Sequence, residues 1–333
     1  MRIVCLPGDG IGPEVMAEAA RAISLLLPDA RVDEYPLGAE AITRHGDPLP
    51  DETLAACLEA DAVLMGAVGS DVYTWQEGPN PEDGLFRLRQ ALDVYANLRP
   101  SVSDGVDLMI VRELVGGLYF GSRGVDPDGT VFDRLEYHPR QVERLVLRGF
   151  ELARLRGGRL TSVDKANVLA TSRMWRKTVD EMAPEYTDVR VEHLLVDTAA
   201  MRLVEDPSAF DVIATENTFG DILSDVAAAL TGGLGVAASA CLGDAGVGLF
   251  EPVHGTAPDI AGEGIANPTA MLLSTALMLR YGLDRPDEAA ALEAAVSSAR
   301  TRTPTADEGG TASTRGFGDH VVALLGDGTA VRQ

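Results

Sequence analysis

The chain is poor in cysteine and has no long apolar run. Its three cysteines, Cys5, Cys57 and Cys241, have neither the number nor the spacing of a disulfide framework or a zinc site, so we expect buried apolar side chains. No run approaches the roughly 20 apolar residues of a membrane-spanning helix. The N-terminal residues also lack the charged, apolar and small-residue order of a signal peptide. These absences predict a cytoplasmic protein with no membrane partner.

Positive charge is scarce as well, and little of it comes from lysine. The formal net charge of −23 over 333 residues argues against nucleic acid or an anionic membrane as a partner, because both need a basic surface. A small anionic substrate would then need a local cluster of arginines. Only two of the 28 basic residues are lysines, Lys165 and Lys177. Since lysine, unlike arginine, can lose its proton near neutral pH, both raise the question of a special role.

Strand-like and helix-like segments alternate along the chain. With 333 residues, 46% of them apolar, we expect two lobes or an elaborated α/β unit. Strand-like runs include RIVCL, ADAVLMGAVG, VDLMIVREL, GRLTSVDKANVL, VRVEHLLVD and FDVIATENTFG. Helix-like runs include PEVMAEAARAISLLL, PRQVERLVLRGFELARLRG and GDILSDVAAALTG. This order is typical of the α/β class.

A glycine-rich segment, PGDGIGPE, follows the first strand-like run. A dinucleotide-binding fingerprint needs G-x-G-x-x-G at such a turn, but Pro13 occupies the third glycine position. Asp9 would also repel a diphosphate unless a metal intervened. The alternative is a tight turn that starts a helix, with Pro13 early in the helix where its missing N–H costs nothing. We favour this structural turn, which means that a dinucleotide site would lie elsewhere.

Three arginines accompany apolar segments before residue 113. Arg89 lies in a helix-like stretch, Arg99 in an ANLRP turn, and Arg112 at the end of the strand-like VDLMIVRE. A buried arginine needs a partner, because an unpaired buried charge is costly. Each arginine alone is explained by a structural salt bridge, whereas the three together could clamp two carboxylates.

Two residues are candidates for proton transfer. Tyr119, in GGLYFGSRG, would ordinarily be a core tyrosine, and it becomes a candidate acid only if a base is nearby. Lys165 is the candidate for that base. It lies in SVDKANVL at the expected end of a strand, which is where α/β active sites collect.

Two aspartates four residues apart raise the question of a metal. Asp221 and Asp225 stand at the expected start of a helix, so both carboxylates project from one face. Favourable placement near a helix N-terminus would explain them without a ligand. The alternative is a hard divalent cation such as magnesium, with Asp197 at the end of HLLVD as a third ligand.

The segment FEPVHGTAPDIAGEGIANPTA is rich in glycine and proline and contains His254 and Asp259. Such a loop could wrap an adenosine. The Asp259 carboxylate at a ribose 2′-hydroxyl would favour NAD and repel the 2′-phosphate of NADP. A plain surface loop is the alternative.

Six segments together carry a family resemblance. PGDGIGPEV, LRQALDVYANLRP, VRELVGGLYFG, SVDKANVL, NTFGDILSD and FEPVHGTAPDIAGEGIANP resemble, in order from about residue 3 to residue 320, the β-decarboxylating 2-hydroxyacid dehydrogenases. This is the family of the isocitrate and isopropylmalate enzymes. The resemblance implies a two-lobed α/β fold of the isopropylmalate dehydrogenase type, not the conventional Rossmann fold. Residues 1–94 and 232–333 would form a discontinuous NAD-binding lobe, and residues 95–231 a lobe for dimerisation, substrate and metal.

The resemblance also implies catalytic and substrate-binding roles. Tyr119 matches the acid that protonates the enol product, and Lys165 matches the group that takes the hydroxyl proton through water. Arg89, Arg99 and Arg112 match the ligands of the substrate carboxylates. A homodimer is implied, in which each active site borrows residues from the neighbouring subunit.

Metal and cofactor ligands follow from the same resemblance. Asp221 and Asp225 match the ligands of Mg²⁺ or Mn²⁺ in one subunit, while Asp197, which also borders the substrate, is lent by the other. The residues that match NAD contacts are Glu82, Asn167, His254, Gly255, Ala257, Pro258, Asp259, Ile260 and Asn267.

The implied reaction is NAD-dependent oxidative decarboxylation of a 2-hydroxy acid. Leu85 and Phe86, one helical turn before Arg89, would leave a carboxylate substituent unsolvated, so the substrate should carry an alkyl group there. We therefore expect 3-isopropylmalate, converted to 2-oxoisocaproate and CO2 in leucine biosynthesis. Another alkylmalate, tartrate or D-malate is the alternative. A noncatalytic regulatory subunit is a remote one, since it should lack Tyr119, Lys165 or a metal aspartate.

Some residues depart from the family pattern. Phe86 is bulkier than the leucine expected there, which predicts a tighter or reshaped pocket. The segments SVSDGVD and GSDVYTWQEGPNPED are shorter than in many bacterial isopropylmalate enzymes. Glu216, in ATENTFGD, stands where smaller or neutral residues are common. These differences bear on the choice of substrate and leave the reaction type standing.

Overall fold

The computed structural model describes residues 1–74, 78–244 and 246–330. The chain forms two compact units, the first from Met1–Val94 with Leu234–Gln333 and the second from Tyr95–Gly233. Each unit combines a mainly parallel sheet with helices, which confirms the predicted α/β class. Residues 75–77, in the middle of GSDVYTWQEGPNPED, lie outside the described part of the chain.

The bounds of the regular elements are as follows. The strands are β1 (Arg2–Gly8), β2 (Arg31–Glu34), β3 (Ala62–Ala67), β4 (Ala96–Ser103), β5 (Val106–Glu113), β6 (Arg123–Val125), β7 (Val131–Asp133), β8 (Arg159–Asp164), β9 (Arg190–Leu195), β10 (Val212–Thr215), β11 (Ala238–Leu242) and β12 (Gly248–Pro252). The helices are α1 (Gly12–Leu26), α2 (Ala39–His45), α3 (Asp51–Leu58), α4 (Asp71–Thr74), α5 (Pro81–Ala91), α6 (Pro139–Leu155), α7 (Ala170–Met182), α8 (Val196–Glu205), α9 (Asn217–Leu230), α10 (Thr269–Leu277), α11 (Pro286–Arg302) and α12 (Thr314–Ala330).

The sheet of the first unit has the strand order β2-β1-β3-β12-β11. Its pairings are parallel except for the antiparallel pair β11 and β12. β3 is buried along its whole length and β1 everywhere but at Arg2. Continuous apolar strands of this kind are typical of parallel sheets that are covered on both faces. Helices α1 and α10 pack against these strands and complete the core of this unit.

The sheet of the second unit has the order β4-β5-β10-β8-β9, with only β4 and β5 antiparallel. In the register of the parallel strands, Thr215 on β10 lies between Arg112 on β5 and Val163 on β8. The residues that follow these strands therefore meet at one edge of the sheet. Lys165 comes directly after β8 and Glu216 directly after β10, so this carboxyl edge is the expected place for an active site.

The PGDGIGPE segment is a structural turn, as predicted. Gly10 has φ +58°, and a Cβ there would lie 2.0 Å from the carbonyl oxygen of Thr256. The N–H of Ile11 donates to the same oxygen at 2.9 Å. Pro13 lies in the first turn of α1, where it removes no helical hydrogen bond. The glycine thus allows the turn to pack directly on the loop that contains Thr256.

The Asp9 carboxylate within this turn binds backbone N–H groups. It accepts hydrogen bonds from Ala39 at 2.9 Å, Glu40 at 3.0 Å and Gly69 at 3.0 Å. Two of these donors open α2, whose first N–H groups have no partner inside the helix. Burial raises the pKa of Asp9, and these hydrogen bonds act against that rise. Asp9 therefore joins three segments of the first unit.

Three placements inferred from the sequence are wrong. Arg99 lies within β4 and not in a turn, because ANLRP continues the antiparallel pairing that sets Arg99 opposite Ile110. Asp197 lies in the first turn of α8, because β9 already ends at Leu195. Helix α9 begins at Asn217, so Asp221 falls in its second turn. Placement at the helix N-terminus therefore does not explain Asp221, since that effect fades beyond the first turn.

The cysteines are free and buried, as the sequence predicted. Burial raises the pKa of the Cys5 thiol and that of the Cys57 thiol to about 12. In the part of the chain that the structure describes, no helix has both the length and the apolar character needed to span a membrane.

Candidate active site

Arg112 and Asp221 form the centre of a charged cluster in the second unit. Arg112 donates through Nη1 to Asp221 Oδ1. The Tyr119 hydroxyl donates to the other oxygen, Asp221 Oδ2, at 3.2 Å. The guanidinium carbon of Arg112 also lies 5.9 Å from the centre of the Tyr119 ring, within cation–π range. Three residues predicted from the sequence therefore meet around one carboxylate.

Arg99 approaches the same carboxylate from β4. Its Nη1 lies 3.4 Å from Asp221 Oδ1 and 3.8 Å from Asp225 Oδ1. The same Nη1 donates to Ser224 Oγ at 2.6 Å, while Nε donates to Asn97 Oδ1 at 2.7 Å. Because the Arg99 side chain is only 10% exposed, these partners offset the cost of removing its charge from water.

The Tyr119 hydroxyl is held in its protonated form. Its pKa is raised mainly by burial, and next by the negative charge of Asp221. The hydroxyl therefore carries its proton at neutral pH, as a general acid must, while the raised pKa makes it a weaker acid than an ordinary tyrosine.

Arg112 is oriented by the start of α9. Its Nε and Nη2 donate to the Asn217 side-chain oxygen at 3.0 and 2.7 Å. Asn217 in turn donates through Nδ2 to the Gly116 carbonyl at 3.0 Å. A Cβ at Gly220 would lie 2.6 Å from the Cγ of Arg112, so α9 packs on this side chain where glycine leaves room. The helix therefore positions the guanidinium by contact as well as by hydrogen bonds.

Lys165 is paired with Asp197 on the same unit. Its Nζ lies 2.5 Å from Asp197 Oδ1, and this hydrogen bond holds the pKa of Asp197 below its usual range. The loop around Lys165 is anchored from α7. The N–H of Lys165 donates to Ser172 Oγ at 3.0 Å, and Arg176 donates two hydrogen bonds, of 2.8 and 2.9 Å, to the buried Asp164.

The Lys165–Asp197 pair does not join the charged cluster within one chain. Among residues 1–74, 78–244 and 246–330, no hydrogen bond or ion pair links Lys165 or Asp197 to Asp221 or Asp225. In the same described ranges, no three His, Cys, Asp or Glu side chains form a group that could hold a metal ion. Asp221 and Asp225 nevertheless supply carboxylate oxygens, the ligands that hard divalent cations prefer. The Asp225 side chain is 55% exposed and so accessible to an ion.

In the first unit, Arg89 forms a buried ion pair with Glu251. A structural salt bridge was one of the two interpretations of this arginine, and the binding of a substrate carboxylate was the other. Arg89 Nη2 lies 2.7 Å from Glu251 Oε1, and both side chains are buried. The thiol of Cys241 donates to the same carboxylate oxygen at 3.3 Å. Leu85 and Phe86 lie half-buried on α5, one turn before Arg89. The predicted alkyl-binding residues and the predicted carboxylate ligand therefore share one helix.

A cavity of about 550 Å³ lies within the first unit. Its lining includes Gly8, Gly10, Gly69, Thr256 and Pro258. All three glycines have φ between +58° and +140°, where residues with a Cβ are strained. At these three positions backbone forms the wall, while Asp9, Glu34, Glu40 and Asp71 also line the cavity. A cavity of this size is typical of small-molecule and cofactor sites.

Two predicted cofactor residues of the first unit have a buried polar atom without a partner among the described residues. These atoms are Glu82 Oε2 and His254 Nε2. Burial raises the pKa of Glu82 and lowers that of His254, whose Nδ1 is 2.9 Å from the Gly255 carbonyl oxygen. Ala257, with φ +39°, is one of the few residues other than glycine with this strained backbone. The unpaired His254 atom and the strained Ala257 lie in one loop, and such a combination is typical of a binding site.

The remaining predicted cofactor residues differ in their surroundings. Asp259 is exposed and Ile260 is half-buried. Asn267 is buried and donates to Asp307 at 3.0 Å and Glu308 at 3.3 Å, which makes it part of the internal hydrogen bonding of the unit. Asn167 lies exposed in the turn after Lys165, in the second unit. Its contact with the cofactor stays a prediction.

Several residues that orient the site were not predicted from the sequence. Glu251 holds Arg89, Asn217 holds Arg112, and Tyr137 lies between Glu113 and Glu216. A signal was available, because Glu113 and Glu251 are acidic residues inside otherwise apolar strand segments. Such a carboxylate must find partners when it is buried.

The chain matches known proteins along nearly its whole length. The sequence model of the isocitrate/isopropylmalate dehydrogenase family matches residues 2–321. A 3-isopropylmalate dehydrogenase of Deinococcus radiodurans is 46% identical, with 99% of this chain and 99% of that protein covered. One from Oceanobacillus iheyensis is 49% identical, with 89% and 86% covered. Among solved structures, an isocitrate dehydrogenase from Methylococcus capsulatus has a TM-score of 0.90 at 36% identity, covering 97% of this chain and 99% of that one.

Proposed function

The chain belongs to the isocitrate/isopropylmalate dehydrogenase family, and from this premise we propose that it oxidises and decarboxylates (2R,3S)-3-isopropylmalate with NAD, giving 2-oxoisocaproate and CO2 in leucine biosynthesis. The observation that carries the proposal is the cluster of Tyr119, Asp221 and Arg112. In it a tyrosine hydroxyl that can act as an acid and a guanidinium that can bind a carboxylate both contact a carboxylate that can bind a metal ion. The relatives named 3-isopropylmalate dehydrogenase, at 46% and 49% identity, support the choice of substrate.

The arginines bind and orient the substrate. Arg99 and Arg112 bind its carboxylates, which take the place of Asp221 as their anionic partner. Glu251 orients the Arg89 guanidinium, which adds a third cationic group. Guanidinium groups suit this task because they stay charged and bind carboxylates through two parallel hydrogen bonds. Leu85 and Phe86 contact the alkyl substituent.

The side chains of the second unit move the protons. Bound NAD would supply the hydride acceptor, and a divalent cation held by Asp221 and Asp225 together with Asp197 would supply Lewis-acid polarisation of the substrate. Lys165, as the neutral amine, takes the C2 hydroxyl proton through a water molecule, and the ammonium group that results is paired with Asp197. The carboxyl group on C3 leaves as CO2, so its bonding electrons remain in the enolate between C2 and C3. Tyr119 then delivers a proton to C3.

The first unit is proposed to bind NAD. Support comes from the unpaired buried atoms of Glu82 and His254, and from the part of the 550 Å³ cavity that Thr256 and Pro258 line. A bound nucleotide would supply the missing hydrogen-bond partners. The exposed carboxylate of Asp259 can accept a hydrogen bond from a ribose 2′-hydroxyl, whereas it would repel a 2′-phosphate. NAD is therefore preferred over NADP.

We also propose a homodimer in which the second units complete each other's metal sites. Support comes from the separation of the Lys165–Asp197 pair from Asp221 and Asp225 within one chain. The second unit also exposes apolar side chains, among them Val125, Val131, Met201 and Ile222. Exposed apolar patches on soluble chains are typical of association surfaces.

Subunit mixing tests the shared site. A mixture of Lys165→Ala and Asp221→Asn subunits should regain activity that neither variant has alone. In each mixed dimer, one site then carries both changes and the other site carries none. Mixed dimers that form but stay inactive would contradict the shared arrangement.

The decisive experiment compares substrates. Purified protein with magnesium and NAD is given 3-isopropylmalate, 3-methylmalate, D-malate, tartrate and isocitrate under identical conditions, and NADH formation is followed. Preference for 3-isopropylmalate supports the proposal. The bulk of Phe86 favours a second candidate, a dehydrogenase of a smaller acid such as D-malate or tartrate. Preference for one of these would retain the reaction type and overturn the alkyl pocket.

A further inference from the structure

A tyrosine hydroxyl lies between two buried carboxyl groups next to the charged cluster. The Tyr137 hydroxyl is 3.2 Å from Glu113 Oε2 and 3.4 Å from Glu216 Oε2, and it accepts a hydrogen bond from the N–H of Asn217 at 3.0 Å. Glu113 is fully buried and Glu216 is 5% exposed. Among the described residues, neither carboxyl forms an ion pair within 4.0 Å. We call Glu113 and Glu216 the buried carboxyl pair.

Each member of the buried carboxyl pair holds a different backbone segment. Glu113 accepts hydrogen bonds from Val115 at 3.1 Å and Gly116 at 2.8 Å, at the start of the loop that leads to Tyr119. Glu216 is the N-cap of α9 and accepts hydrogen bonds from Thr218 at 3.1 Å and Phe219 at 2.8 Å. Tyr137 therefore joins the loop of the candidate acid to the helix that carries Asn217, Asp221 and Asp225.

The contact between Tyr137 and the loop is close. A Cβ at Gly116 would lie 2.7 Å from the tyrosine ring, and a Cβ at Gly117 would lie 2.5 Å from its hydroxyl oxygen. Gly117 also has φ +78°, which favours glycine. The loop can approach the tyrosine this closely only because both positions lack a side chain. A shift of Tyr137 would consequently move the backbone that precedes Tyr119.

A third segment reaches the same place through a small cavity. The cavity measures about 10 Å³, and its lining includes Tyr137, Glu216, Asp164 and Ser172. A cavity of this size with polar walls is at the lower limit for one water molecule. Ser172 and Asp164 are the residues that anchor the loop of Lys165. One water would link Glu216 to that loop.

The number of protons determines how this arrangement can be satisfied. If both carboxyls were ionised, the tyrosine hydroxyl would donate its one proton to the nearer carboxylate, that of Glu113. The hydroxyl oxygen and the Glu216 carboxylate oxygen would then face each other with no hydrogen between them. One extra proton on the buried carboxyl pair allows the Tyr137 hydroxyl to form a hydrogen bond with both carboxyl groups. Arg144 lowers the pKa of Glu113 and Arg112 lowers that of Glu216, but burial is the larger effect on both. Burial raises the pKa of Glu113 to about 7 and also raises that of Glu216.

We propose that Glu113, Tyr137 and Glu216 form a positioning device that holds one proton in addition to that of the tyrosine hydroxyl. The device keeps the Tyr119 loop, the start of α9 and the Lys165 loop in register. None of its members touches the reacting atoms. This inference rests on the proposed function for its kinetic consequences, whereas its effects on cation binding and protonation do not depend on the substrate.

Variants of Glu216 separate positioning from plain packing. Glu216→Gln mimics the protonated carboxyl in part, because its Nε2 can donate to Tyr137 while its Oε1 still accepts from the Phe219 N–H, with loss of the hydrogen bond from Thr218. Glu216→Val can do neither. Tyr137→Phe removes only the hydroxyl. The measurements are kcat, KM for the acid and for NAD, and the Kd for Mn²⁺ without substrate by electron paramagnetic resonance. The wild-type enzyme first establishes which acid is oxidised.

We expect kcat to fall, and the Kd for Mn²⁺ to rise, by at least about tenfold in Glu216→Val and Tyr137→Phe, while KM for NAD stays unchanged. Glu216→Gln should retain kcat within about threefold of the wild type, since it keeps the hydrogen bonds with Tyr137 and Phe219 and loses only the one from Thr218. Equal losses in Glu216→Gln and Glu216→Val would overturn the extra proton. Unchanged kcat and Mn²⁺ affinity in both Val and Phe variants would overturn the positioning role.

Infrared spectroscopy tests the proton without any turnover. The folded wild type at neutral pH should show the carbonyl stretch of a buried protonated carboxyl, shifted in deuterated water. The band should disappear in Glu216→Gln and also in Glu113→Gln, because either change leaves a single carboxylate beside the hydroxyl. A wild type without the band overturns the proposal. If 3-isopropylmalate is not oxidised, the proposed function fails, but this result and the Mn²⁺ result still decide the inference.

Discussion

The two units build their candidate sites from different materials. The cavity of the first unit is lined in part by backbone at Gly8, Gly10 and Gly69, which have positive φ, and the Asp9 carboxylate beside them accepts hydrogen bonds from three N–H groups. The cluster of the second unit consists of ionised side chains on a strand and a helix, as in the contact between Arg112 and Asp221. The first site depends on the path of the chain. The second depends on which charges are present.

This difference predicts different sensitivities to mutation. A backbone wall cannot accept a Cβ where another carbonyl already occupies the space, so substitutions there should damage binding and stability together. A cluster of buried charges tolerates no missing partner, because the remaining charge is left without compensation. Substitutions that remove a partner of the buried Arg99 or Arg112 should therefore lower the stability of the fold, whereas those at the more exposed Lys165 should affect mainly the chemistry.

The largest effect is expected where the second unit transfers protons. Lys165→Ala and Tyr119→Phe should each lower kcat by about 10³-fold, since each removes one acid–base group. Both variants should keep their circular dichroism spectrum and their affinity for NAD. Lys177→Ala is the matched control, because Lys177 is exposed and its one ion pair with the described residues is with Glu181 on its own helix. Near-normal NADH formation by either active-site variant would remove the role assigned to that residue.

The backbone wall of the first unit is tested by Gly10→Ala against Gly46→Ala. Both glycines have positive φ, +58° and +75°, but a Cβ meets Thr256 at 2.0 Å only at Gly10, and at Gly46 nothing lies within 4 Å. Gly46→Ala should cost about 1 kcal/mol of unfolding free energy from backbone strain alone. Gly10→Ala should cost about 3 kcal/mol and raise KM for NAD, because the turn must move. If urea unfolding shows the same loss of unfolding free energy in both variants, the close approach of Gly10 to the Thr256 carbonyl does not contribute to stability.

The buried carboxyl of Glu113 in the second unit should make the free energy of unfolding depend on pH. Burial raises the pKa of Glu113 from its ordinary value of 4.5 to about 7. Between these values the unfolded chain releases this proton while the folded protein retains it, so rising pH favours unfolding. The free energy of unfolding should fall with pH across this window, by at most about 3 kcal/mol from Glu113. Glu113→Gln should show a smaller fall between pH 5 and pH 8 in urea titrations. The same fall in both proteins would exclude Glu113 as its source.

The smallest effect is expected at the alkyl pocket of the first unit. Phe86→Leu enlarges the space next to Leu85 without changing any charge. The ratio of kcat/KM for 3-isopropylmalate to that for 3-methylmalate should rise by about tenfold, which is typical for the difference of a few methylene groups. A ratio that does not change would mean that Phe86 does not contact the alkyl substituent.

Local sequence was sufficient for some placements and insufficient for others. Arg112 and Lys165 could be assigned to strand ends, because an apolar run stops at a charged residue in both cases. Arg99 could not be assigned, since its place in β4 depends on pairing with β5 and not on its neighbours in sequence. Asp197 was predicted at the end of a strand but lies in the first turn of α8. The boundary was not visible in the sequence, because α8 follows β9 directly with no glycine or proline between them.

The amino-acid sequence was enough to identify the family, the α/β class and the residue types that can perform the chemistry, because these follow from collinear motifs and local periodicity. It was not enough to identify their partners. Arg89 meets Glu251 across 162 positions, Tyr119 meets Asp221 across 102, and Tyr137 meets Glu216 across 79. Contacts of such separation form only when strands and helices pack, and no local preference encodes them. The packing of distant segments therefore determines which charges are paired, which protons are held and which oxygens can bind a ligand.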